Sequence, residues 1–526
     1  MGETGPAEGA GTMFQLVARH AHSRPGARAM SGANRTWTYG TLVDAAEQAA
    51  GVLQSFGLTV GDRFAIVADN DPLTCIAWLA GSRVGIVPCI VNSRLAVPEL
   101  ARLLAHLRPG LVLTDAAHDA DMRAAERATT VDFTIARLSS LESDGADAKD
   151  APHPATDEPF EITYTSGTTS DPKGVVLTHR AELAQLADQQ DFLGVGADDV
   201  AYAVTPLFHA SGIRNSVALM WFVGGHVHIA PRFSASRFFQ EAAAVGATYA
   251  CFVETLARLL MLQPPSPAER EHTIRVALGG GTARGTAEFV EAVEARFGFR
   301  TTHVFGMTEC GPVCGVPLDL DPERLHAARR WRPSASLAGW PLGGCEVRVV
   351  DDDGNDVPEG GTGQIVVRSD GLFSGYFDNP RATAAALHDG WLHTGDLAAV
   401  GPDRCLYFVG RSRDVIRRGG ESFASREIEQ VLDAHPDVAR SAAFGLPDEL
   451  WGEVPKVVVV PEAGRVVTAE DVWTWCDDRL ADFKVPRYVE FRDSLPENAS
   501  GRVLKHVLRD DLRDDATTFE RMESRS

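Results

Sequence analysis

The sequence predicts an α/β protein of more than one domain, and three features carry that prediction. Short apolar runs alternate with amphipathic stretches along most of the chain, the pattern of parallel sheets covered by helices. At 526 residues the chain is too long for a single core. Its 44% hydrophobic and 23% charged content is ordinary for a globular protein.

Taken in order, Met1 to Gly11 is rich in Gly, Ala and Glu, with neither a basic nor an apolar region, and reads as a disordered tail instead of a signal peptide. Tyr39–Gln54, Pro72–Gly81 and Val97–Leu107 place apolar residues at helical spacing. Between and after them, Arg63–Ala68, Ile86–Val91 and Leu111–Thr114 are short apolar runs that read as strands. Glu142 to Glu158, rich in Ala, Asp and Pro, predicts an exposed loop. Phe160 to Tyr164 predicts a buried strand. A second, smaller block follows Gly410. It has helices at Arg426–Ala434, Ala469–Ala481 and Val503–Leu512, and strands at Ala439–Phe444 and Lys456–Val460. No internal repeat is visible, and no carrier-protein segment follows, which predicts a stand-alone enzyme.

Charge and cysteine usage exclude several functions. A net charge of −22 disfavours nucleic acid and anionic membrane as partners. No apolar run approaches the roughly 20 residues that span a bilayer. The eight cysteines are scattered without a CxxC pair, and Cys310 and Cys314 have no second pair beside them. Core or loop thiols in a reducing cytoplasm fit better than zinc.

The most informative stretch is Tyr164-Thr-Ser-Gly-Thr-Thr-Ser-Asp-Pro-Lys-Gly174. Thr165, Ser166, Thr168 and Thr169 offer hydroxyls, Gly167 and Gly174 let a ligand approach the backbone, and Lys173 adds a cation. Such a loop suits a phosphate chain. Its spacing differs from the common P-loop, because the second glycine follows the lysine.

This loop resembles the phosphate-binding signature of the adenylate-forming superfamily: acyl-CoA synthetases, peptide-synthetase adenylation domains and luciferases. Further segments match in the family's order, from about Thr36 to Leu512. Pro206–Gly212 (PLFHASG) resembles the segment whose histidine, here His209, gates the acid pocket. Leu278–Ala283 and Phe305–Glu309 (FGMTE) resemble the adenine and magnesium region. By that resemblance Gly280 and Gly281 border the adenine, and Phe305, with Gly306 and Met307 beside it, supplies the stacking face usually given by tyrosine. Gly306 also borders the acid, Thr308 bonds the α-phosphate, and Glu309 holds Mg²⁺. His393–Asp396 and Gly410–Glu429 resemble the ribose and hinge region. There Asp396 and Arg411 meet the ribose, and Arg413 occupies the hinge position usually held by Asp or Lys. Gly420 lines the coenzyme A tunnel. Arg417 and Arg418 suit either coenzyme A phosphates or a solvated basic face.

The resemblance implies a large N-terminal domain of αβ layers with a distorted β-barrel (residues 12–410), a hinge (411–413) and a small mobile C-terminal domain (414–526). It implies ATP, Mg²⁺ and coenzyme A as reactants and cofactor, a small-molecule acid as substrate, and is compatible with a homodimer. Two departures stand out. The family's last motif ends in Gly-Lys, whereas here Gly501 is followed by Arg502, with Lys505 one turn later. The swap is not conservative, because a guanidinium is bulkier and prefers bidentate geometry. In the acid pocket Arg214 follows the gate histidine, and Glu254 offers it a partner, a pairing that suits a small polar or carboxylate-bearing acid better than a long fatty chain; the acid expected overall is a small aryl or polar one. An enzyme activating nitrous acid for diazotisation of an aryl amine, with the amine as acceptor, is the alternative within the fold. A nucleotide sensor without turnover is the alternative outside enzymology.

Overall fold

The alternating runs of the first third form a four-stranded parallel sheet in the order Val87–Ile90, Arg63–Val67, Leu111–Thr114, Thr134–Arg137. These assignments come from a computed structural model that describes residues 11–143, 148, 151–165, 172–252, 254–279, 287–332, 335–411, 414–418, 421–448, 451–477, 479–480, 482–497, 503–511 and 518–521. The strand alternation of side chains is visible in the packing. Phe64, Ile66, Leu111 and Leu113 enter one core, and Ala65, Val67 and Val112 enter another on the opposite face.

The covering helices start and stop where local chemistry dictates. Pro72–Val84 begins with Asp71 accepting from the Leu73 N–H and with proline in its first turn. It ends at Gly85, whose φ of +70° closes the last turn. Its last basic residue, Arg83, is buried. Arg83 Nε donates to Glu47 at 2.8 Å, and its terminal nitrogens donate to the carbonyls of Ala148 (2.8 Å) and Ala151 (2.9 Å). The exposed loop expected over Glu142–Glu158 is therefore corrected in part. Ala148 is buried, because a buried guanidinium needs acceptors and this segment supplies them.

A seven-stranded sheet follows the order Arg300–Thr302, Val276–Leu278, Tyr249–Cys251, Val200–Ala203, His226–Ile229, Arg28–Gly32, Arg35–Thr38. Its pairings are parallel except the last, an antiparallel hairpin. Pro159–Thr165, Lys173–Thr178 and Gly375–Tyr376 form a separate antiparallel sheet. The fold class is α/β, with a large N-terminal part that includes a curled sheet and a smaller C-terminal part.

The chain divides into two compact units. One comprises Met1–Pro322, Ala338–Val347 and Val367–Leu392; the other comprises Glu323–Leu337, Arg348–Val366 and His393–Ser526. In the second unit, Val438–Asp448 and Gly452–Pro461 form a long antiparallel pair, extended on the far side by Tyr488–Phe491 and Thr518–Glu520. Helices Ser425–Asp433 and Ala469–Asp477 supply Ile428, Leu432, Val472 and Cys476 to its core. No helix among the described residues is long and apolar enough to cross a membrane.

Two buried histidines of the first unit make its stability acid-sensitive. His179 packs against Phe160 with ring centroids 4.9 Å apart, and neither ring nitrogen makes a hydrogen bond among the described residues. Burial lowers its pKa to about 4. His226 shares the Ser31 hydroxyl with His228 and is likewise lowered to about 4, by burial first and then by His228 and Arg28. Unfolded histidine titrates near 6.5. Between these values the unfolded chain binds protons that the folded chain excludes, so stability is full above about pH 6.5 and is lost as pH falls toward 4. The expected slope is about 1.4 kcal/mol per pH unit for each histidine. Urea midpoints measured from pH 7.5 to 4.5 check this, and His179→Phe should remove part of the slope.

Candidate functional site

The strand pair that carries the hydroxyl-rich loop is in register, with Thr165 opposite Lys173 and Tyr164 opposite Gly174. Ser166, Gly167, Thr168 and Thr169 lie outside the described residues, as does the side chain of Thr165. The glycine after the lysine has a packing reason of its own. A Cβ on Gly174 would lie 2.8 Å from Ile162 Cγ2 and 3.3 Å from Phe377 Cβ. Tyr164 is fixed by a 2.7 Å hydrogen bond between its hydroxyl and His106 Nδ1.

Lys173 leaves the loop toward Tyr376, with Nζ 5.4 Å from the ring centroid. That distance is a cation–π contact. Among the described residues it has no carboxylate partner. The hydroxyl of Tyr376 donates to Glu309 Oε1 at 2.8 Å. Tyr376 thus links the loop cation to the acidic residue, through its face and its hydroxyl respectively. Sequence reasoning missed it, because its partners lie far from it in the chain and no local pattern marks it.

Glu309 is 5% exposed, and its Oε2 makes no hydrogen bond among the described residues. It sits in the tight connection of an antiparallel hairpin, Val304–Met307 with Gly311–Gly315. The register shifts between Phe305 and Gly306, and a Cβ on Gly306 would lie 2.2 Å from the Gly311 carbonyl oxygen. Only glycine fits that bulge. Phe305, Met307 and Thr308 are half-buried on the same hairpin, while Gly306 is exposed. Gly280 and Gly281 lie outside the described residues. A buried carboxylate with one oxygen held by a phenol and the other unbonded suits a hard cation.

His209 caps a helical run, Ala210–Gly212, Ile213–Ala218 and Leu219–Val223, whose middle segment is a π-helix. Such wide turns place side chains off the regular helical path and recur at functional sites. Gly212 is required there, since a Cβ would lie 2.3 Å from the Pro206 carbonyl oxygen. Burial, reinforced by Arg94, lowers the His209 pKa, so the ring is neutral at pH 7.

Arg214 lies in the π segment and is 5% exposed. Its partners are Glu161 and Glu182. Nε donates to Glu161 Oε1 at 2.9 Å, Nη2 donates to the same oxygen, and Nη2 also donates to Thr163 Oγ1 at 3.1 Å. Trp78 Nε1 donates to Glu161 Oε2 at 2.7 Å, so both oxygens of Glu161 are satisfied as an anion. Glu182 Oε2 lies 3.3 Å from Arg214 Nε, but neither Glu182 oxygen makes a hydrogen bond among the described residues. Burial raises the Glu182 pKa; Arg214 opposes the shift and Glu161 reinforces it. Burial opposes the Arg214 charge, yet the facing carboxylates outweigh it and raise its pKa. The side chain of Glu254, at the start of helix Glu254–Met261, lies outside the described residues. A cavity of about 10 Å³ adjoins this cluster, lined by Glu161, Thr163 and Arg214 together with the apolar Ile90, Leu207 and Phe208.

In the second unit Asp396 and Arg411 are direct cross-strand partners in the register of an antiparallel pair, and the side chain of Arg411 lies outside the described residues. Asp396 is 3% exposed, and its N–H donates to the Thr394 hydroxyl. Lys505 Nζ lies 2.7 Å from both Ser425 Oγ and Glu429 Oε1. Arg418 is buried and donates to the Phe483 carbonyl at 3.2 Å. Arg413, Gly420 and Arg502 lie outside the described residues.

Comparison with known proteins shows the family. The AMP-binding enzyme family matches residues 17–377, and the AMP-binding enzyme C-terminal domain matches residues 427–502. The chain is 31% identical to an indoleacetate–CoA ligase of Aromatoleum aromaticum, over 94% of this chain and 97% of the relative. It is 33% identical to a feruloyl-CoA synthase of an Amycolatopsis species, over 93% and 97%. Among solved structures, ATP-bound MatB from Rhodopseudomonas palustris superposes with a TM-score of 0.84 at 28% identity, covering 96% of this chain and 99% of that one. The o-succinylbenzoate CoA synthetase of Bacillus subtilis, in complex with its acyl-adenylate intermediate, gives 0.83 at 27%, covering 95% and 98%.

Proposed function

Because the chain belongs to the AMP-binding enzyme family, we propose that it ligates a small aryl or polar carboxylic acid to coenzyme A with ATP. In the first step an acid oxygen attacks the α-phosphorus of ATP, and pyrophosphate leaves. In the second the coenzyme A thiol, losing its proton, attacks the acyl carbon and AMP leaves with the bonding pair. The observation that carries this reading is the Lys173–Tyr376–Glu309 line, which sets a cation and a buried carboxylate on the two ends of one tyrosine. Lys173 would meet phosphate oxygens as they gain charge, and Glu309 would hold Mg²⁺, whose chemistry is to neutralise the phosphate chain. His209, neutral and beside the pocket, would border the acid. Asp396, with Arg411 opposite it in the strand register, would take the ribose hydroxyls; a carboxylate accepts both. The relatives named as CoA ligases support coenzyme A as acceptor.

The test is pyrophosphate, AMP and thioester formation by the purified protein with Mg·ATP and coenzyme A, across short, aryl and dicarboxylic acids and nitrite. Thioester with a carboxylic acid supports the reading. Pyrophosphate with nitrite alone would replace it with diazotisation, and ATP binding without pyrophosphate would replace it with a sensor. Tyr376→Phe keeps the ring under Lys173 and removes the hydroxyl from Glu309. It is expected to raise the Mg²⁺ concentration for half-maximal rate by roughly 10-fold, as loss of a partner behind a metal ligand does; an unchanged Mg²⁺ titration would remove Glu309 from that role.

A further inference from the structure

The Arg214 cluster is built like a recognition site and balanced like a neutral one. Arg214 is nine-tenths buried and lines the cavity, yet its Nη1 makes no hydrogen bond among the described residues. Nitrogens Nε and Nη2 are taken by Glu161 and Thr163, so the remaining N–H groups are those of Nη1. Arg214 lines the cavity, so Nη1 is a donor open to an arriving acceptor. The cavity's volume of about 10 Å³ is the room of one water molecule, or of one oxygen substituent.

Charge decides which acceptor. Glu161 is a carboxylate with both oxygens hydrogen-bonded, Oε2 by Trp78 and Oε1 by Arg214 and Thr163. It cancels the guanidinium. Glu182, buried without a hydrogen bond, is the carboxyl that keeps its proton. The cluster is therefore close to neutral before any ligand arrives. A second carboxylate on the substrate would add an uncompensated buried charge. A hydroxyl, ether or carbonyl oxygen would add only an acceptor.

We infer that this cavity reads a neutral oxygen substituent at the far end of the acid, through Arg214 Nη1, and disfavours a diacid. The inference rests on the acid–CoA ligase reading above and names the substrate class for it. It differs from a reading in which Arg214 would hold a substrate carboxylate, because Glu161 already pairs with it.

The experiment measures kcat/KM for thioester formation with matched benzoic and cinnamic acids. Each carries hydrogen, hydroxyl, methoxy or a second carboxylate at each ring position. The expected result is a preference of roughly 10-fold or more for one oxygenated acid over its unsubstituted parent, with the diacid poorest. In the protein carrying Arg214→Met, Glu161→Gln and Glu182→Gln together, that ratio should fall toward one. The triple change keeps the cluster neutral, so a folded protein is available even where Arg214→Met alone is not; its folding is checked by its urea midpoint. Preference for the diacid, a flat ratio in the parent protein, or an unaltered ratio in the triple variant each overturns the inference while leaving the ligase reading standing. Absence of pyrophosphate release with every acid overturns the ligase reading and this inference with it.

Discussion

Replacing Arg502 by alanine is expected to slow pyrophosphate release by about 10²–10³-fold, the usual loss when one aimed charge-stabilising donor is removed. Replacing Lys505 by alanine is expected to change it by less than about 5-fold. The two residues compete for the role that a lysine after the last glycine fills in resembling enzymes. Lys505 is already engaged at 2.7 Å by Ser425 and Glu429. Glu429 also accepts from the Ala443 N–H at 2.9 Å, so Lys505 ties the start of one helix to another helix and a strand of its own unit. To reach a phosphate it would leave Glu429 half-buried and without its cation, at a cost of roughly 1–3 kcal/mol. Arg502 keeps its charge at every working pH and needs no deprotonated form to act. Arg502→Lys keeps the charge but loses the fork, so a rate between those of the parent and Arg502→Ala is expected. Single-turnover pyrophosphate release separates the cases. A large loss in Lys505→Ala with little in Arg502→Ala would reverse the assignment, and the lysine's buried contacts would then be a resting state of the active group.

Much of the fold is legible because its signals are local. Val97–Leu107 and Leu111–Thr114 fall within the bounds their sequence predicts, since periodicity, proline and Glu99 act within a few residues. The strand expected at Ala439–Phe444 instead runs Val438–Asp448, because pairing with Gly452–Pro461 carries it past its apolar centre. Thr518–Glu520 has no signal of its own; it is a strand only because Tyr488–Phe491 offers it an edge. The candidate site divides the same way. Lys173 and Glu309 stand out in their motifs, whereas Tyr376 bonds a partner 67 residues away. Glu161 hides inside a run that reads as apolar core, and its partner Arg214 is 53 residues further on. Burial of charge is a property of distant pairs, and one stretch of sequence does not carry it. Arg214 accordingly invited Glu254, whose side chain lies outside the described residues, as a partner; among the described residues the carboxylates that face it come from the strand before the phosphate loop and the helix after it.

Within that cluster the three charged residues should not be equal. Arg214→Met should cost roughly 3–5 kcal/mol in the unfolding of the first unit, because it strands the buried Glu161 carboxylate without its cation. Glu161→Gln should cost less, since Glu182 lies 3.3 Å from Arg214 Nε and can ionise to replace the lost charge. Glu182→Gln should lie within about 1 kcal/mol of the parent, because that carboxyl carries a proton already and makes no hydrogen bond to lose. The order follows from one guanidinium facing two carboxyls: the shared cation is indispensable, and each carboxyl is partly redundant with the other. Urea midpoints at pH 7.5 give the ladder directly. Equal losses for all three would mean that both carboxyls are ionised and that the cluster carries a net negative charge, which would turn the adjoining cavity toward a cationic substituent. A near-neutral Arg214→Met would mean that both carboxyls take up protons without cost and that the guanidinium is held in place by the ligand it reads. The predicted ladder keeps Arg214 structurally anchored on one edge and chemically open on the other, with Nη1 left to select the acid.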